Sequence, residues 1–284
     1  MRSVRRESNI PAPPTLAYAR RMRIFALSDP HLALGLPGKS MDVFGPQWEN
    51  HHRTIERNWI ETVGDGDLVL VAGDISWAMR LPDARPDLHF LGRLPGRKVL
   101  LKGNHDFWWS SATKVRAALP PSMVAVQADA VWVDDVLVAG ARLWDLPDVS
   151  FGHLIDWKPT SAPKPPPTEA ERDQDRKIFE REWVRLEASL AHMQTLALAR
   201  EPRSRIVLTH YPPCAADLPD CAATQLFERA GVDHVVFGHL HSVRTDLDPP
   251  PFGYRSGVGY HLTACDFIGF RPKLIAEVPP HAPQ

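Results

Sequence analysis

The stretch KVLLKGNHDFWW at residues 98–109 indicates both a fold class and the position of a site. Its first part is apolar on both faces, which is typical of a strand in a sheet that is covered on both sides. Gly103 ends the apolar run, and Asn104, His105 and Asp106 follow directly. Three such polar side chains add nothing to a core, so they predict a site at the carboxyl end of this strand.

The same pattern recurs along the chain, where other short apolar runs end in acidic or imidazole side chains. The runs are RIFALS (23–28), DLVLVA (67–72), RIVLT (205–209) and HVVF (234–237), and the residues that follow them are Asp29 and His31, Asp74, His210, and His239 and His241. Strand and helix patterns alternate to about residue 120, which favours an α/β layered fold. Side chains beyond the carboxyl ends of neighbouring strands converge on one crevice, so we expect these residues to lie together.

Beyond residue 120 the chain predicts further strands and one long helix. The runs MVAVQA, AVWV and VLVAGA (123–141) follow each other closely and are predicted to be antiparallel strands that lead into a second sheet. Prolines crowd residues 159–167, which predicts a stiff surface connection over residues 157–168. Thr168 and Glu171 match a capping box, which predicts a helix from about residue 169 to 200.

The bulk composition is that of a globular protein of 284 residues with a net charge of −1. We expect one domain at residues 22–278, a disordered or non-native extension at 1–21 and a short tail at 279–284. The near-zero charge disfavours long nucleic acid as a partner, and no apolar run approaches the roughly 18 residues of a membrane span. The three cysteines lack disulfide-framework spacing, which favours a cytoplasmic location. The sequence does not indicate whether the protein is a monomer or an oligomer.

The side chains at the strand ends are of the kinds that bind divalent transition metals. Asp29 and His31 are two residues apart, and in an extended chain they would point the same way and bind one ion. A carboxylate can bridge two ions, and an ion pair about 3.5–4 Å apart is suited to hydrolysing phosphate esters with a bound water. Taken singly, each residue could instead be a cap, a turn residue or a hydrogen-bonded polar group, but one site accounts for all of them.

Taken together, the motifs resemble those of the calcineurin-like metallophosphoesterase superfamily. They are Asp29-x-His31, Gly73-Asp74, Gly103-Asn104-His105-Asp106, His210 and Gly238-His239-x-His241. The phrases GDISWAMRL, LTHYPP and HLTACDF further resemble a bacterial branch of predicted phosphohydrolases. The resemblance implies a four-layer α-β-β-α sandwich of two mixed β-sheets flanked by helices. It also implies two divalent or mixed-valence transition metal ions, with Mn, Fe, Zn and Ni all left open.

The resemblance also implies a role for each residue. Asp29, His31 and His241 would hold the first metal; Asn104, His210 and His239 the second; Asp74 would bridge them. His105 would face the substrate and protonate the leaving oxygen or stabilise charge. Pro30 departs from the usual apolar or small residue between Asp29 and His31, and we expect the extended geometry to survive it.

Other side chains are weaker candidates for the same site. Arg142, Arg80 and Tyr211 are candidate substrate contacts, and Asp106 and His261 are candidate supports behind the metal ligands. The two tryptophans of FWW (107–109) would either pack against a helix or form an aromatic wall.

The resulting prediction is a dinuclear-metal-dependent phosphoesterase that hydrolyses a small phosphate mono- or diester by attack of a metal-bridging water. The alternative is a non-catalytic interaction scaffold of the same fold. The sequence does not distinguish monoester from diester substrates, because both reactions use the same ions.

Overall fold

The computed structural model describes residues 21–147, 149–156 and 167–279. The proline-rich stretch and almost all of both predicted terminal segments lie outside the described residues, so these predictions stay untested. The described parts contain five α-helices: α1 (His51–Thr62), α2 (Leu81–Arg93), α3 (Ala112–Arg116), α4 (Glu169–Ala197) and α5 (Ala222–Arg229). The predicted capping box is present at the start of α4, where Thr168 and Glu171 exchange hydrogen bonds.

The first β-sheet contains β1 (Met22–Ala26), β2 (Leu68–Val71), β3 (Arg97–Leu101), β4 (Met123–Val126) and β11 (Lys273–Val278), in the order β11-β1-β2-β3-β4. Strands β1 to β4 run parallel, and β11 pairs antiparallel with β1. The antiparallel prediction for residues 123–126 is therefore wrong. Helix α3 connects the carboxyl end of β3 to the amino end of β4, so the two strands run in the same direction.

The second β-sheet contains β5 (Asp129–Val133), β6 (Val136–Gly140), β7 (Ser204–Leu208), β8 (His234–Phe237), β9 (Gly253–Arg255) and β10 (Val258–Leu262), in the order β5-β6-β7-β8-β10-β9. The strands from β6 through β10 in that order are parallel, while β5 and β9 form antiparallel edges. Both sheets are thus mixed, as predicted.

The alternation of side chains along the strands explains the layering. In β1, Ile24 and Ala26 face a core shared with Val138, Ile206 and other residues of the second sheet. Phe25 faces the opposite way, into a core with residues of α1 and α2. The outer face of the second sheet packs against α4 and α5. Because successive strand residues point to opposite faces, a strand covered on both sides is apolar throughout. The four-layer prediction is confirmed.

The two sheets are joined at the edge where their parallel strands end. Ser28, just beyond β1, forms a β-bridge with Ala264, just beyond β10. The Ser28 hydroxyl also shares a 2.8 Å hydrogen bond with Thr263 and accepts one from the backbone N–H of Ala72. These contacts bring the carboxyl ends of β1, β2 and β10 together, so the loops that follow them surround a common space.

Candidate metal centre

The structure brings the seven predicted metal ligands into one cluster at the joined edge of the sheets, in which Asp29, His31, Asp74 and His210 are buried and Asn104, His239 and His241 are partly exposed. The ligand atoms form two groups, and within each group all of them lie within 4.8 Å of one another. The groups are Asp29, His31 and His241, and Asp29, Asp74 and His210. Asn104 completes the second side, because its Oδ1 lies 2.6 Å from His210 Nε2 and 3.2 Å from His239 Nδ1.

Asp29 and Asp74 both lie between the two sides of the cluster. Asp29 belongs to both groups. Asp74 Oδ2 lies 3.5 Å from His210 Nε2 and 3.7 Å from His31 Nε2. The resemblance singled out Asp74 as the bridging carboxylate, and the geometry places Asp29 in an equally central position.

The backbone at the ligands is left-handed, which corrects the expectation of an extended Asp29-x-His31 segment. Asp29 has φ 56° and His31 has φ 43°, with Pro30 between them. Backbone hydrogen bonds hold this conformation, because the Asp29 and His31 N–H groups donate to the carbonyls of Gly73 and Asp74 at 3.0 Å. Non-glycine residues adopt this region at a cost and persist there only when their surroundings enforce it. The two side chains still converge.

Glycines of the motifs make room for the carboxylates. A Cβ on Gly103 would lie 2.1 Å from Asp74 Oδ1, and a Cβ on Gly238 would lie 1.9 Å from Asp29 Oδ2. Each acid therefore occupies the space that a side chain on the neighbouring motif glycine would fill. This packing explains why Gly precedes Asn104 and His239.

The donor set fits a cation. Burial lowers the pKa of His31 well below its usual value and that of His239 to about 3, so both imidazoles are neutral and carry a free lone pair. His31 Nδ1 is buried without a hydrogen-bond partner, and His31 Nε2 faces His241 Nε2 at 3.1 Å. An unpaired buried polar atom costs roughly 1–3 kcal/mol. Neutral imidazoles beside buried carboxylates are the mixed N/O environment that Mn, Fe, Zn and Ni accept.

The sequence pattern described as calcineurin-like phosphoesterase matches residues 22–243. The chain belongs to the calcineurin-like phosphoesterase family. The family membership that the motifs indicated is thereby confirmed, and the chain is a metal-dependent phosphoric ester hydrolase of that family. No curated protein matches this chain.

Several solved structures are similar to this phosphoesterase over most of its length. A phosphopantetheinyl hydrolase from Mycobacterium tuberculosis is 16% identical, with 93% of this chain and 99% of that chain covered and a TM-score of 0.45. A calcineurin-like phosphoesterase from Bacillus subtilis is 13% identical, with 85% and 80% covered and a TM-score of 0.46. A protein of unknown function from Aquifex aeolicus is 13% identical, with 89% and 95% covered and a TM-score of 0.43.

Asp106 supports two ligand loops of the phosphoesterase at once. Its Oδ1 accepts hydrogen bonds from the backbone N–H groups of Ile75 and Ser76 and from the Trp108 indole, at 2.8, 3.1 and 2.9 Å. Its Oδ2 accepts one from the Gly103 N–H at 2.8 Å. The carboxylate therefore ties the loop after β2, which carries Asp74, to the loop after β3.

Asp266 is a functional candidate that the sequence analysis missed. It accepts hydrogen bonds from His241 Nδ1 at 2.9 Å and from the Ser242 N–H at 2.8 Å. A carboxylate behind a ligating histidine fixes its tautomer and leaves Nε2 free for the metal. Asp266 follows shortly after the apolar strand β10, so the pattern that identified the other residues would also have found it.

His105 lies beside the cluster at the wall of a cavity of about 1290 Å³. Its backbone N–H donates to Asp74 Oδ1 at 2.8 Å, and its ring contacts the rings of Trp77 and His31, with centroids 4.7 and 5.7 Å away. Burial lowers the pKa of His105. The ring thus faces the space next to the ligands.

The weaker candidates are divided between the cluster and the surface. Arg142 supports the cluster through its backbone, because its carbonyl accepts from the N–H groups of His210 and Tyr211. The Tyr211 ring lies 4.0 Å from that of His239, and burial raises the pKa of its hydroxyl. The Arg142 guanidinium lies over the Trp144 ring, 4.8 Å from its centroid, and pairs with Glu182 at 3.4 Å.

The remaining candidates are placed away from the ligands. The Arg80 side chain is 81% exposed and pairs with Asp83 at 3.3 Å. His261 shares a 3.1 Å hydrogen bond with His234, which stands at the opposite end of β8 from His239. The tryptophans of FWW are buried in the core under the first sheet. The rings that do flank His31 are Trp48 and Trp77, which the sequence analysis did not single out.

Proposed function

We propose that this phosphoesterase binds two metal ions and hydrolyses a small phosphate mono- or diester. The observation that carries the proposal is the double grouping of donors: Asp29 is shared between two sets, and Asp74 Oδ2 lies within 3.7 Å of an imidazole nitrogen from each. One ion would be held by Asp29, His31 and His241, and the other by Asn104, His210 and His239, with Asp74 between them. When bound, the ions would neutralise phosphoryl charge and activate a water.

His105 is the proposed general acid. In the hydrolysis, a bond forms from the water oxygen to phosphorus while the bond from phosphorus to the leaving oxygen breaks. The leaving oxygen then needs a proton, and the His105 ring is the imidazole that lines the cavity without belonging to either group of ligand atoms. A positioned acid of this kind contributes about 10²- to 10⁴-fold to the rate.

Tyr211 and Arg142 are proposed to shape the side of the site next to His239. The Tyr211 ring packs on His239, and Trp144 packs on Tyr211 with centroids 5.1 Å apart. The Arg142 carbonyl holds the chain at His210. Asp145 Oδ1 lies 3.8 Å from His239 Nε2 and adds a carboxylate at the rim.

The test is turnover after metal reconstitution. The protein is stripped with chelator, loaded separately with Mn, Fe, Zn or Ni, and assayed with p-nitrophenyl phosphate and bis(p-nitrophenyl) phosphate. We expect metal-dependent turnover of at least one ester with two ions bound per chain. A protein that binds metal and hydrolyses neither ester under any loading would support the scaffold alternative instead.

We also propose a cytoplasmic location. Cys214, Cys221 and Cys265 are free thiols, and burial raises the pKa of Cys214 to about 12 and that of Cys265 well above its usual value. Thiols of this kind suit a reducing compartment. In the part of the chain that the structure describes, none of the helices is long and apolar enough to cross a membrane. Fractionation of the native host cells would test the location.

A further inference from the structure

The cavity beside His105 is larger than a phosphate group requires. Its volume of about 1290 Å³ exceeds the ~300–1,000 Å³ that is typical of ligand pockets. His31, His105 and His241 line the cavity, so it is continuous with the candidate metal centre. A phosphate held at these histidines would leave most of the space for the rest of the substrate.

One loop contributes most of the apolar side chains that line the cavity. Val43, Phe44, Pro46 and Trp48 all line the cavity, and Trp77 lines it beside His105. Val43 and Phe44 are neighbours in the chain and are 82% and 59% exposed, and contiguous exposed apolar side chains often mark a ligand-binding surface. They are the exposed part of a wall that a bound group would cover.

Met41 and Trp48 anchor this loop to the core, whereas the turn between them is exposed and can be substituted. The Trp77 indole N–H points at Met41 Sδ at 2.9 Å, and the Trp48 ring packs against Phe270 with centroids 5.2 Å apart. The turn Asp42–Phe44 contains no buried residue. Substitutions at Val43 or Phe44 therefore remove cavity surface without removing core packing.

The remaining wall disfavours further negative charge. It contains Asp156, Arg244 and Asp246. The Arg244 guanidinium makes two contacts of 3.0 Å with the Asp246 carboxylate, and Asp156 is a second carboxylate in the same lining. A second phosphate here would have to compete with Asp246 for Arg244 in the presence of Asp156, which favours an uncharged group beside these residues.

We infer that the cavity binds the leaving alcohol of the ester, and that this alcohol is an uncharged, extended apolar group such as an alkyl, acyl or aryl chain. The inference rests on the proposed function, because it assigns the phosphoryl group to the metal centre. His105 faces the same cavity, so the oxygen that it would protonate is the one that carries the apolar group. Val43, Phe44 and Trp48 are the residues that recognise the chain of the alcohol.

The test compares octylphosphonate with methylphosphonate, which share a phosphoryl group and a C–P bond that ester hydrolysis does not break. Binding to the manganese-loaded protein is measured by titration calorimetry, below the concentration at which the octyl chain aggregates. We expect octylphosphonate to bind at least about tenfold more tightly, since a fully buried methylene contributes about 0.8 kcal/mol and only a few need to be covered. Val43→Ser and Phe44→Ser should each reduce this ratio.

Val184→Ser is the matched control, because Val184 is also an exposed valine, at 62%, but lies on α4 and does not line the cavity. It should leave the ratio of the two affinities unchanged. Equal binding of the two phosphonates would overturn the inference, as would a preference that survives the Val43→Ser/Phe44→Ser double variant. Binding to phosphatidic acid vesicles without any preference for octylphosphonate in solution would also overturn it, in favour of a membrane-held phosphate.

Turnover separates this inference from the proposed function. If octyl phosphate and methyl phosphate are both hydrolysed with equal kcat/KM and the phosphonates bind equally, the metal-centre proposal stands and the cavity assignment fails. If neither ester is hydrolysed under any metal loading while octylphosphonate still binds more tightly than methylphosphonate, the hydrolytic proposal fails and the cavity assignment stands.

Discussion

Asp266 accepts a 2.9 Å hydrogen bond from His241 Nδ1 and thereby directs His241 Nε2 toward His31. We predict that Asp266→Ala lowers metal affinity by about 10- to 100-fold, because the ring loses the partner that fixes its tautomer and orientation. Competition with a chromophoric chelator measures the affinity. Asp173→Ala, an exposed acid on α4 that pairs with Arg176, is the matched control and should bind metal like the wild type. Equal metal affinity in Asp266→Ala would contradict the role of Asp266.

Asp74→Asn should lose at least one bound ion and nearly all turnover. The carboxylate lies between His31 and His210, and an amide offers one neutral oxygen in place of two charged ones. Elemental analysis of the reconstituted protein, together with the p-nitrophenyl phosphate assay, checks this prediction. Wild-type turnover in this variant would refute the assignment of the metal centre.

His105→Ala should separate catalysis from metal binding. The His105 side chain lines the cavity, and its backbone N–H rather than its ring contacts Asp74. We expect the variant to keep its full metal content and to lose about 10²- to 10⁴-fold in kcat. The loss should be smaller for p-nitrophenyl esters than for alkyl esters, since p-nitrophenolate leaves without a proton. A uniform loss across both leaving groups would argue against an acid role.

Metal uptake should release protons at neutral pH. Burial opposes the charged form of His210, but Asp74 and Asp29 outweigh it and raise its pKa to about 9; Asp266 does the same for His241. Both imidazoles are therefore protonated in the metal-free protein at pH 7 and must lose a proton to bind an ion. Metal affinity should rise with pH until about pH 9. Calorimetry at pH 7 in buffers of different ionisation enthalpy measures the protons released.

The same two histidines contribute to the pH dependence of stability in the metal-free protein. Because their pKa is raised above the unfolded value of about 6.5, their contribution to stability is fully present below pH 6.5. It should be lost as the pH rises through about 9. Urea unfolding of the chelated wild type and of Asp266→Ala between pH 6 and 10 tests this for His241, and a wild type that loses no more stability over that interval than the variant would contradict the pairing of His241 with Asp266.

Gly103→Ala should damage the centre although it adds only one methyl group. The new Cβ would lie 2.1 Å from Asp74 Oδ1 and 2.2 Å from the Asp74 backbone nitrogen, so the backbone of a ligand loop must move. We expect a loss of about 1–3 kcal/mol in the free energy of unfolding and weaker metal binding. Gly66→Ala is the control, because nothing lies within 4 Å of its added Cβ. Equal Tm values for both variants would contradict this packing argument.

Much of the site could be predicted because its residues follow the carboxyl ends of apolar strands. Each of the strands β1, β2, β3, β7 and β8 is a short apolar run, and each is followed directly by candidate ligands. A parallel strand that is covered on both sides must be apolar on both faces, so polar residues are confined to its ends. Asp74, Asn104 and His210 were found by this contrast.

The errors have a common physical origin. Extended geometry was expected at Asp29 and His31, but both are left-handed because backbone hydrogen bonds to Gly73 and Asp74 enforce it. His261 was considered a support for the ligands, and its side chain contacts His234 instead. These outcomes depend on which residues distant in sequence become neighbours, and strand patterns do not contain that information.

The layered α/β class, the strand ends and the types of ligand could be predicted from the amino-acid sequence, because burial in a covered sheet restricts which residues each position accepts. Three relationships became visible in the folded chain and not in the sequence: β4 joins the first sheet, Asp266 orients His241, and Val43 and Phe44 line the cavity. Those relationships join segments far apart in the chain. They arise when the two sheets pack together, since no local propensity selects one distant partner over another.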